Sequence, residues 1–145
     1  MDKGSLTYGE DYGKTLWIPV WSAAIFGADV KIVVDTGFLD AAWVQNTLGI
    51  PSRCSDDEGI EHALQHIGWK PEEVDIVINT HLHYDHMRGN MVFPKAHFVV
   101  QEREWYYALQ PVKPQLEPYS DLVKGIDFFR WHFVSGIKYM PLPHP

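Results

Sequence analysis

The chain has 145 residues, of which 46% are hydrophobic, so it is long enough to bury the core of one ordinary domain and too short for two. Its 12 Lys and Arg against 19 Asp and Glu give a formal net charge of −7, which argues against nucleic acid as a partner because phosphate backbones bind clustered basic side chains. The single cysteine, Cys54, excludes an internal disulfide, and no apolar run approaches the ~20 residues that span a bilayer, so we expect a cytoplasmic protein without membrane contact.

The first third of the chain predicts a β-hairpin. Residues 16–25 are apolar with a central proline, Pro19, which is typical of an edge strand or a bulged strand. Residues 30–34 are rich in β-branched side chains and end at the turn residues 35–37. We expect the two runs to pair as antiparallel strands through residues 27–29.

The middle of the chain predicts a helix followed by a strand. Apolar residues recur there at helical spacing, namely Ile60, Ala63, Leu64 and Ile67. Gly68 stands where a helix-terminating glycine belongs, and residues 71–73 form a short turn. The β-branched run of residues 74–78 then predicts a strand, and the order of helix, turn and strand favours an α/β fold.

The last third continues this α/β pattern. Residues 97–100 predict a strand, and residues 102–109 predict a helix. The proline-spaced residues 111–118 predict a loop, and residues 131–134 with residues 137–140 predict a second hairpin. We therefore expect a single α/β domain over residues 1–145.

The most informative segment follows the strand predicted at residues 74–78 and reads Thr-His-Leu-His-Tyr-Asp-His. Imidazole and carboxylate are ligands that Zn²⁺, Fe²⁺, Mn²⁺ and Co²⁺ accept. In an extended or turning backbone, His81 and His83 project to one side and can hold one ion, while Asp85 and His86 reach a second. Two ions about 3.5–4 Å apart polarise a carbonyl and generate hydroxide near neutral pH. We therefore expect two divalent metal ions, with zinc favoured and Mn, Fe or Co compatible, over a polar turn with surface histidines.

This motif resembles the His-X-His-X-Asp-His signature of the metallo-β-lactamase superfamily. Residues 13–21 and 33–37 resemble the front of N-acyl homoserine lactonases, which open with a similar Pro-Val-Trp strand and Val-Asp-Thr-Gly turn. Residues 67–74 and 99–105 are similar to the segments before and after the motif in those enzymes. The resemblance covers about residues 13–140.

The resemblance implies the N-terminal αβ half of an αββα sandwich, in an enzyme that hydrolyses a small-molecule lactone or similar ester. It implies that His81 and His83 hold the first metal and that Asp85 and His86 hold the second. It further implies that a metal-bridging hydroxide would attack the carbonyl carbon and that Asp85 would also act catalytically, by carrying a proton to the leaving alkoxide. Another histidine, a bridging aspartate and a tyrosine of the family have no counterpart here. We therefore expect a C-terminal half, in the same protein or on a second polypeptide, as a partner.

Other functions remain open beside the lactonase. A glyoxalase II-like thioesterase uses the same motif, and a nuclease of the superfamily should be more basic than this chain. Outside enzymes, the alternative is a non-catalytic half-domain kept as a binding subunit, which the absence of the remaining ligands from the whole assembly would identify. His144 is flanked by Pro143 and Pro145, unlike the family's next motif, so we expect it to lead into that motif instead of serving as a ligand.

Several single residues carry weaker expectations. Arg88 stands where the superfamily often has glycine, so it contacts an anionic substrate group or points to solvent, and we favour solvent. The resemblance implies that Asp35 is a structural residue near the site, and we expect it to cap or hydrogen-bond its turn. His62 and His66 lie four residues apart, and we expect an exposed helix face there and not a metal site. Cys54 is not expected to be catalytic.

The remaining histidines and the aromatic residues are ambiguous. His97 and His132 lie in strand-like runs and are expected at the edge of the core. Five aromatic residues either line a hydrophobic pocket or pack in the core: Trp17, Trp21, Trp105, Tyr106 and Tyr107.

Overall fold

A computed structural model describes residues 1–109 and 139–142 of the chain and places five strands in one sheet, in the order β1-β2-β3-β4-β5. The first two strands are antiparallel, and every later neighbour is parallel. The strands are β1 (Ala23–Ile25), β2 (Ile32–Val34), β3 (Ile76–Asn79), β4 (His97–Gln101) and β5 (Tyr139–Leu142).

Helices occupy the crossovers that parallel strands require. Between β2 and β3 lie two helices and a short 3-10 turn, and between β3 and β4 one helical turn continues into a 3-10 segment. The α-helices are α1 (Ala41–Leu48), α2 (Ile60–His66), α3 (Tyr84–Met87) and α4 (Glu102–Leu109), and the 3-10 segments are Lys3–Ser5, Pro71–Glu73 and Arg88–Val92. No helix in the described part of the chain is long and apolar enough to cross a membrane.

One face of the sheet carries the main core. Val33, Val77 and Phe98 are aligned on neighbouring strands, so their side chains lie on the same face. Ile60 and Leu64 of α2 pack against them, and all five side chains are buried. Burying side chains of this size stabilises the fold by about 1.5–3 kcal/mol each.

The opposite face of the sheet is apolar but less covered. Its aligned side chains are Ile25, Ile32, Val34, Ile76 and Ile78, which we call the open sheet face. Ile25 is 40% exposed and the other four are half-buried. A sheet that is apolar on both faces is typical of a layered α/β protein in which both faces are covered.

The antiparallel pairing of the predicted first hairpin is confirmed. Its first strand is shorter than predicted. Strands β1 and β2 pair antiparallel, but residues 16–22 lie outside any strand. Pro19 has no N–H to donate to a ladder. In this segment Trp17 and Trp21 are 58% and 74% exposed. Of the two alternatives for these residues, packing in the core is therefore wrong.

The later predictions agree with the structure where it describes the chain. The predicted strands at residues 74–78 and 97–100 correspond to β3 and β4, and the predicted helices correspond to α2 and α4. Gly68 has φ +74°, the left-handed conformation that follows many helix ends. The strand predicted at residues 137–140 overlaps β5 at residues 139 and 140, and β5 pairs in parallel with β4. Residues 137 and 138 lie outside the described part of the chain, so the predicted second hairpin is not tested. Residues 111–118 and 131–134 lie outside the described part of the chain.

Helix α1 was not predicted. Asp40 begins it, because its carboxylate accepts hydrogen bonds from the backbone N–H groups of Ala42 and Trp43 at 2.8 and 3.0 Å. Gly49 ends it with φ +67°. Only Val44 of this helix is fully buried, so the apolar periodicity that reveals an amphipathic helix is weak here.

Candidate functional site

The motif residues gather at the carboxyl edge of the parallel strands. Asp35 directly follows β2, and the segment from Thr80 to His83 directly follows β3 before α3 begins. Because parallel strands end at the same edge of a sheet, side chains that follow β2 and β3 meet there. In open α/β sheets this edge is where ligands bind.

Three imidazoles form what we call the histidine cluster: His81, His83 and His86. The ring centres of His81 and His83 are 4.3 Å apart, and those of His81 and His86 are 4.0 Å apart. All three side chains are half-buried. The prediction that His81 and His83 project to the same side agrees with this geometry. His86, which was expected to reach a second ion with Asp85, also lies next to His81.

Asp35 joins the turn after β2 to the histidine cluster. Its Oδ2 lies 2.8 Å from Nδ1 of His86 and accepts a hydrogen bond from the Thr80 hydroxyl at 2.7 Å, while its Oδ1 accepts from the Thr80 N–H at 2.8 Å. The residue is 6% exposed and has φ +54°. The hydrogen bonds of the Asp35 carboxylate go to residues 45 and 51 positions later in the chain, so the expected bond within its own turn is wrong. The structural place near the site that the resemblance implies agrees with these contacts.

The environment shifts the titration of these groups in different directions. Burial lowers the pKa of His81 and of His83 from the ordinary value of 6.5, and a neighbouring imidazole lowers each further. The hydrogen bond to Asp35 raises the pKa of His86 above 6.5 and outweighs burial. Burial alone raises the pKa of Asp35, but the hydrogen bonds from His86 and Thr80 outweigh it and lower that pKa. His81 and His83 are thus favoured as neutral imidazoles, the form that binds metals.

Pairs of donor atoms in the site are spaced as the ligands of one divalent ion would be. Nε2 of His86 lies 3.8 Å from Oδ2 of Asp85, and two donors bound to one ion at about 2.0–2.2 Å lie roughly 3–4 Å apart. Asp35 occupies Nδ1 of His86 and so directs Nε2 outward, the arrangement that carboxylates impose on metal-binding histidines. Across residues 1–109 and 139–142, however, no three His, Cys, Asp or Glu side chains are arranged to hold an ion by themselves.

Buried polar side chains hold the backbone of His86. Its carbonyl oxygen accepts from the Thr36 N–H at 2.8 Å and from the Asn79 side-chain amide at 3.1 Å. Asn90 donates to Asn79 at 2.8 Å and accepts from the Thr36 hydroxyl at 2.8 Å. Thr36, Asn79 and Asn90 are at most 2% exposed. These three residues were not predicted from the sequence, in which lone asparagines carry no recognisable pattern.

Helix α4 supports the other end of the motif. Glu104 accepts a hydrogen bond from the Leu82 N–H at 2.9 Å, between His81 and His83 in the chain. The Leu82 side chain is buried with Met87 and Val100, and Trp105 packs against them. Core packing therefore accounts for Trp105, and Glu104 is a second supporting residue that sequence reasoning missed.

An aromatic flank lies beside the cluster and consists of Phe38, Trp43 and Tyr84. The ring centre of Tyr84 is 6.4 Å from that of Phe38 and 6.5 Å from that of Trp43. Burial raises the pKa of Tyr84 to about 12, so its phenol stays neutral at physiological pH. The Arg88 guanidinium lies over the Trp43 ring, 3.5 Å from its centre. Arg88 is half-buried, so the expectation that it points to solvent is wrong.

The other histidines lie away from the cluster. His62 and His66 are exposed on α2 with ring centres 6.2 Å apart, as expected. His97 is exposed, which contradicts its expected place at the core edge. His132 and His144 lie outside the described residues.

The weaker candidates are mostly surface groups. Burial raises the pKa of the Cys54 thiol, which disfavours the reactive thiolate and agrees with the expectation that Cys54 is not catalytic. Tyr106 is 58% exposed and so does not pack in the core. The Tyr107 side chain lies outside what the structure describes.

Comparison with known sequences identifies relatives across most of the chain. Residues 16–144 match the family model of the metallo-beta-lactamase superfamily. An N-acyl homoserine lactonase of Bacillus thuringiensis is 29% identical over 117 residues, which are 75% of this chain and 47% of that protein. An N-acyl homoserine lactonase of Azorhizobium caulinodans is 39% identical over 56 residues, 39% of this chain and 21% of that protein. The chain thus spans about half the length, or less, of these relatives.

Solved structures resemble the fold. An N-acyl homoserine lactone hydrolase with its product N-hexanoyl-L-homoserine bound at the catalytic metal centre superposes with a TM-score of 0.74 at 22% identity, over 99% of this chain and 55% of that chain. A quorum-quenching N-acyl homoserine lactone lactonase superposes with a TM-score of 0.74 at 24% identity, over 99% and 52% of the respective chains. At this identity the likeness speaks for the fold alone, and it confirms the predicted α/β fold of the metallo-β-lactamase type. With the family model covering most of its length, the chain belongs to the metallo-beta-lactamase superfamily.

Proposed function

We propose that the protein is a metal-dependent hydrolase that opens a lactone or a similar ester. The observation that carries this proposal is the gathering of three imidazoles, with ring centres 4.0 and 4.3 Å apart, beside Asp85 and Asp35 at the carboxyl edge of the sheet. Matched relatives named as N-acyl homoserine lactonases favour lactones over other esters. Lactones that serve as bacterial signals are the first candidates, and their hydrolysis would be quorum quenching.

The histidine cluster and Asp85 would hold two divalent ions. In this assignment His81 and His83 bind the first ion, and Asp85 with His86 binds the second, in keeping with the pairwise distances. When bound, such ions polarise the ester carbonyl and lower the pKa of water towards neutrality. Zinc is favoured by the imidazole and carboxylate donors, and Mn, Fe or Co are also compatible.

The chain's own residues would then orient groups and move a proton. Asp35 fixes His86 in the tautomer that has Nδ1 protonated, because a carboxylate faces that nitrogen at 2.8 Å. Asp85 would accept at its carboxylate a proton that the attacking water gives up, and would pass it to the leaving alkoxide. Asp35 and Glu104 would act by positioning, since both accept hydrogen bonds from backbone N–H groups of the motif.

We further propose that residues 1–145 form one half of an αββα sandwich in a cytoplasmic protein. The open sheet face supports this proposal, because five aligned apolar side chains there are only half-covered. A second sheet packed on that face would bury them, as in other sandwiches of two sheets. This complementary half would also bring the ligands that complete the two metal sites, whether it belongs to the same polypeptide or to another.

A substrate panel tests the proposed function. The complete protein, loaded with Zn²⁺, is offered several acyl homoserine lactones, a penicillin, a glutathione thioester and a phosphodiester, and initial rates are compared. We expect the lactone to be hydrolysed fastest. Faster turnover of the thioester or the phosphodiester than of every lactone would refute the substrate class, and the thioester result would favour a glyoxalase II-like enzyme.

A further inference from the structure

Arg88 lies against an indole ring. Its guanidinium carbon lies 3.5 Å from the centre of the Trp43 ring, and the side chain is half-buried. A guanidinium that stacks on a ring uses its face and leaves the N–H groups at its edge available. Arg88 is a cation held beside the Trp43 ring.

Within residues 1–109 and 139–142, the Arg88 guanidinium has no hydrogen bond and no ion pair. The charge of Asp40 opposes the effect of burial on the pKa of Arg88, which places that carboxylate nearby. Asp40 is already engaged, because its Oδ1 accepts from two backbone N–H groups at the start of α1. In a chain with a net charge of −7, a half-buried arginine that forms no ion pair with a carboxylate of the described residues stands out.

Arg88 also lies close to the candidate site. It directly follows α3, so it is three residues beyond Asp85 and four beyond Tyr84, the separations at which side chains share one face of a helix. Trp43 contacts both Arg88 and Tyr84, which ties the arginine to the aromatic flank. If the ester of a ligand lies near Asp85, the Arg88 guanidinium is about one helical turn away from that ester.

We propose that Arg88, held on Trp43, binds a carboxylate group of the substrate other than the ester that is cleaved. The planar guanidinium edge matches a carboxylate with two parallel hydrogen bonds. This proposal rests on the proposed hydrolase function for the identity of the substrate, while the carboxylate site itself does not. It predicts a preference for lactones whose acyl chain carries a second, anionic group.

Direct binding is tested by NMR on the full chain with ¹⁵N-labelled arginine. The chain has four arginines, Arg53, Arg88, Arg103 and Arg130, so the Nε–H signals are few, and loss of a signal in Arg88→Met assigns it. We expect sodium acetate to shift the Arg88 signal saturably and sodium chloride at equal ionic strength to leave it in place. Arg53, which lies 4.6 Å from the Trp17 ring and is exposed, is the internal control. An Arg88 signal that acetate moves no more than that of Arg53 would overturn the carboxylate site.

Selectivity is tested with the complete, Zn²⁺-loaded protein on N-succinyl homoserine lactone and its neutral succinamoyl analogue. We expect Arg88→Met to lower kcat/KM for the succinyl lactone about tenfold more than for the analogue, the effect of a charge-assisted hydrogen bond at a partly exposed site. The matched variant Arg53→Met should leave the ratio unchanged. Equal losses on both substrates in Arg88→Met would overturn the substrate assignment. If the wild-type protein hydrolyses neither of these lactones nor any lactone of the substrate panel, the proposed lactonase function falls, and the acetate titration still decides the carboxylate site.

Discussion

Replacing Gly89 with alanine would place a methyl group inside a close backbone contact beneath the histidine cluster. A Cβ at this position comes 2.2 Å from the carbonyl oxygen of Thr36 and 2.9 Å from its Cβ. Ordinary contacts between such atoms are about 3.5–4 Å, so one of the two segments has to move by more than about 1 Å. The conformation of Gly89 itself is not the reason, because it lacks the positive φ of six other glycines.

Thr36 cannot retreat without breaking hydrogen bonds. Its N–H donates to the His86 carbonyl at 2.8 Å, its hydroxyl donates to Asn90 at 2.8 Å, and the Gly89 N–H donates to Gly37 at 3.0 Å. Overpacking costs about 1–3 kcal/mol, and each buried hydrogen bond that is broken adds about 1–3 kcal/mol. We therefore expect Gly89→Ala to lower the free energy of unfolding by about 2–5 kcal/mol.

Urea unfolding of the full protein, followed by far-UV circular dichroism, measures this loss. Gly59→Ala is the matched control, because nothing lies within 4 Å of a Cβ there and its φ is −66°. We expect the control to stay within about 1 kcal/mol of the wild type, since a poorer helix cap and a less flexible unfolded chain offset each other. Equal midpoints for the two variants would refute the close approach of Gly89 to Thr36.

Three further predictions concern the site and the core. His83→Ala should lower the metal content of the complete protein measured by elemental analysis, whereas His97→Ala, at an exposed site, should not; equal metal content in both variants would contradict the assignment of His83. Because Asp35 raises the pKa of His86 above 6.5, the pair stabilises the metal-free protein fully at about pH 5–6.5 and less as the pH rises through that raised pKa. Asp35→Asn should flatten this decline in the free energy of unfolding, and an unchanged slope in urea titrations with EDTA would contradict the coupling. Leu64→Ala, which empties a side chain that is 2% exposed, should cost about 2–5 kcal/mol in the same assay, and a loss below about 1 kcal/mol would show that Leu64 is not in the core.

The fold was predictable where the sequence signal is local. The β-branched runs at β2 and β3 and the apolar spacing of α2 follow from side-chain preferences over a few residues. The strand prediction fails at residues 16–22, because an apolar run with a proline has strand composition but finds no ladder partner in the structure. Helix α1 is not predictable in the same way, since it begins at the Asp40 cap and ends at Gly49 but has almost no buried face.

The candidate site also combines residues with a local sequence signal and residues without one. His81, His83 and His86 could be predicted as site residues from their spacing, because three imidazoles within six residues are rare in a turn without a function. The roles of Asp35 and Glu104 could not be predicted from the sequence. Their hydrogen bonds span 45 and 22 residues and depend on which strands and helices become neighbours. Long-range polar contacts of this kind follow from the assembled fold and leave no periodic trace in the sequence.

Helix α3 explains why so many distant residues converge on one motif. A helix of four residues, Tyr84–Met87, is far too short to be stable on its own, so tertiary contacts must fix its geometry. Met87 anchors it in the core with no exposed surface, hydrogen bonds from Thr36 and Asn79 hold the His86 carbonyl, and Trp43 contacts its outer side through Tyr84. Each contact fixes a different side of the same turn. Loosening any one of them should therefore change the position of the His86 imidazole before it unfolds the domain.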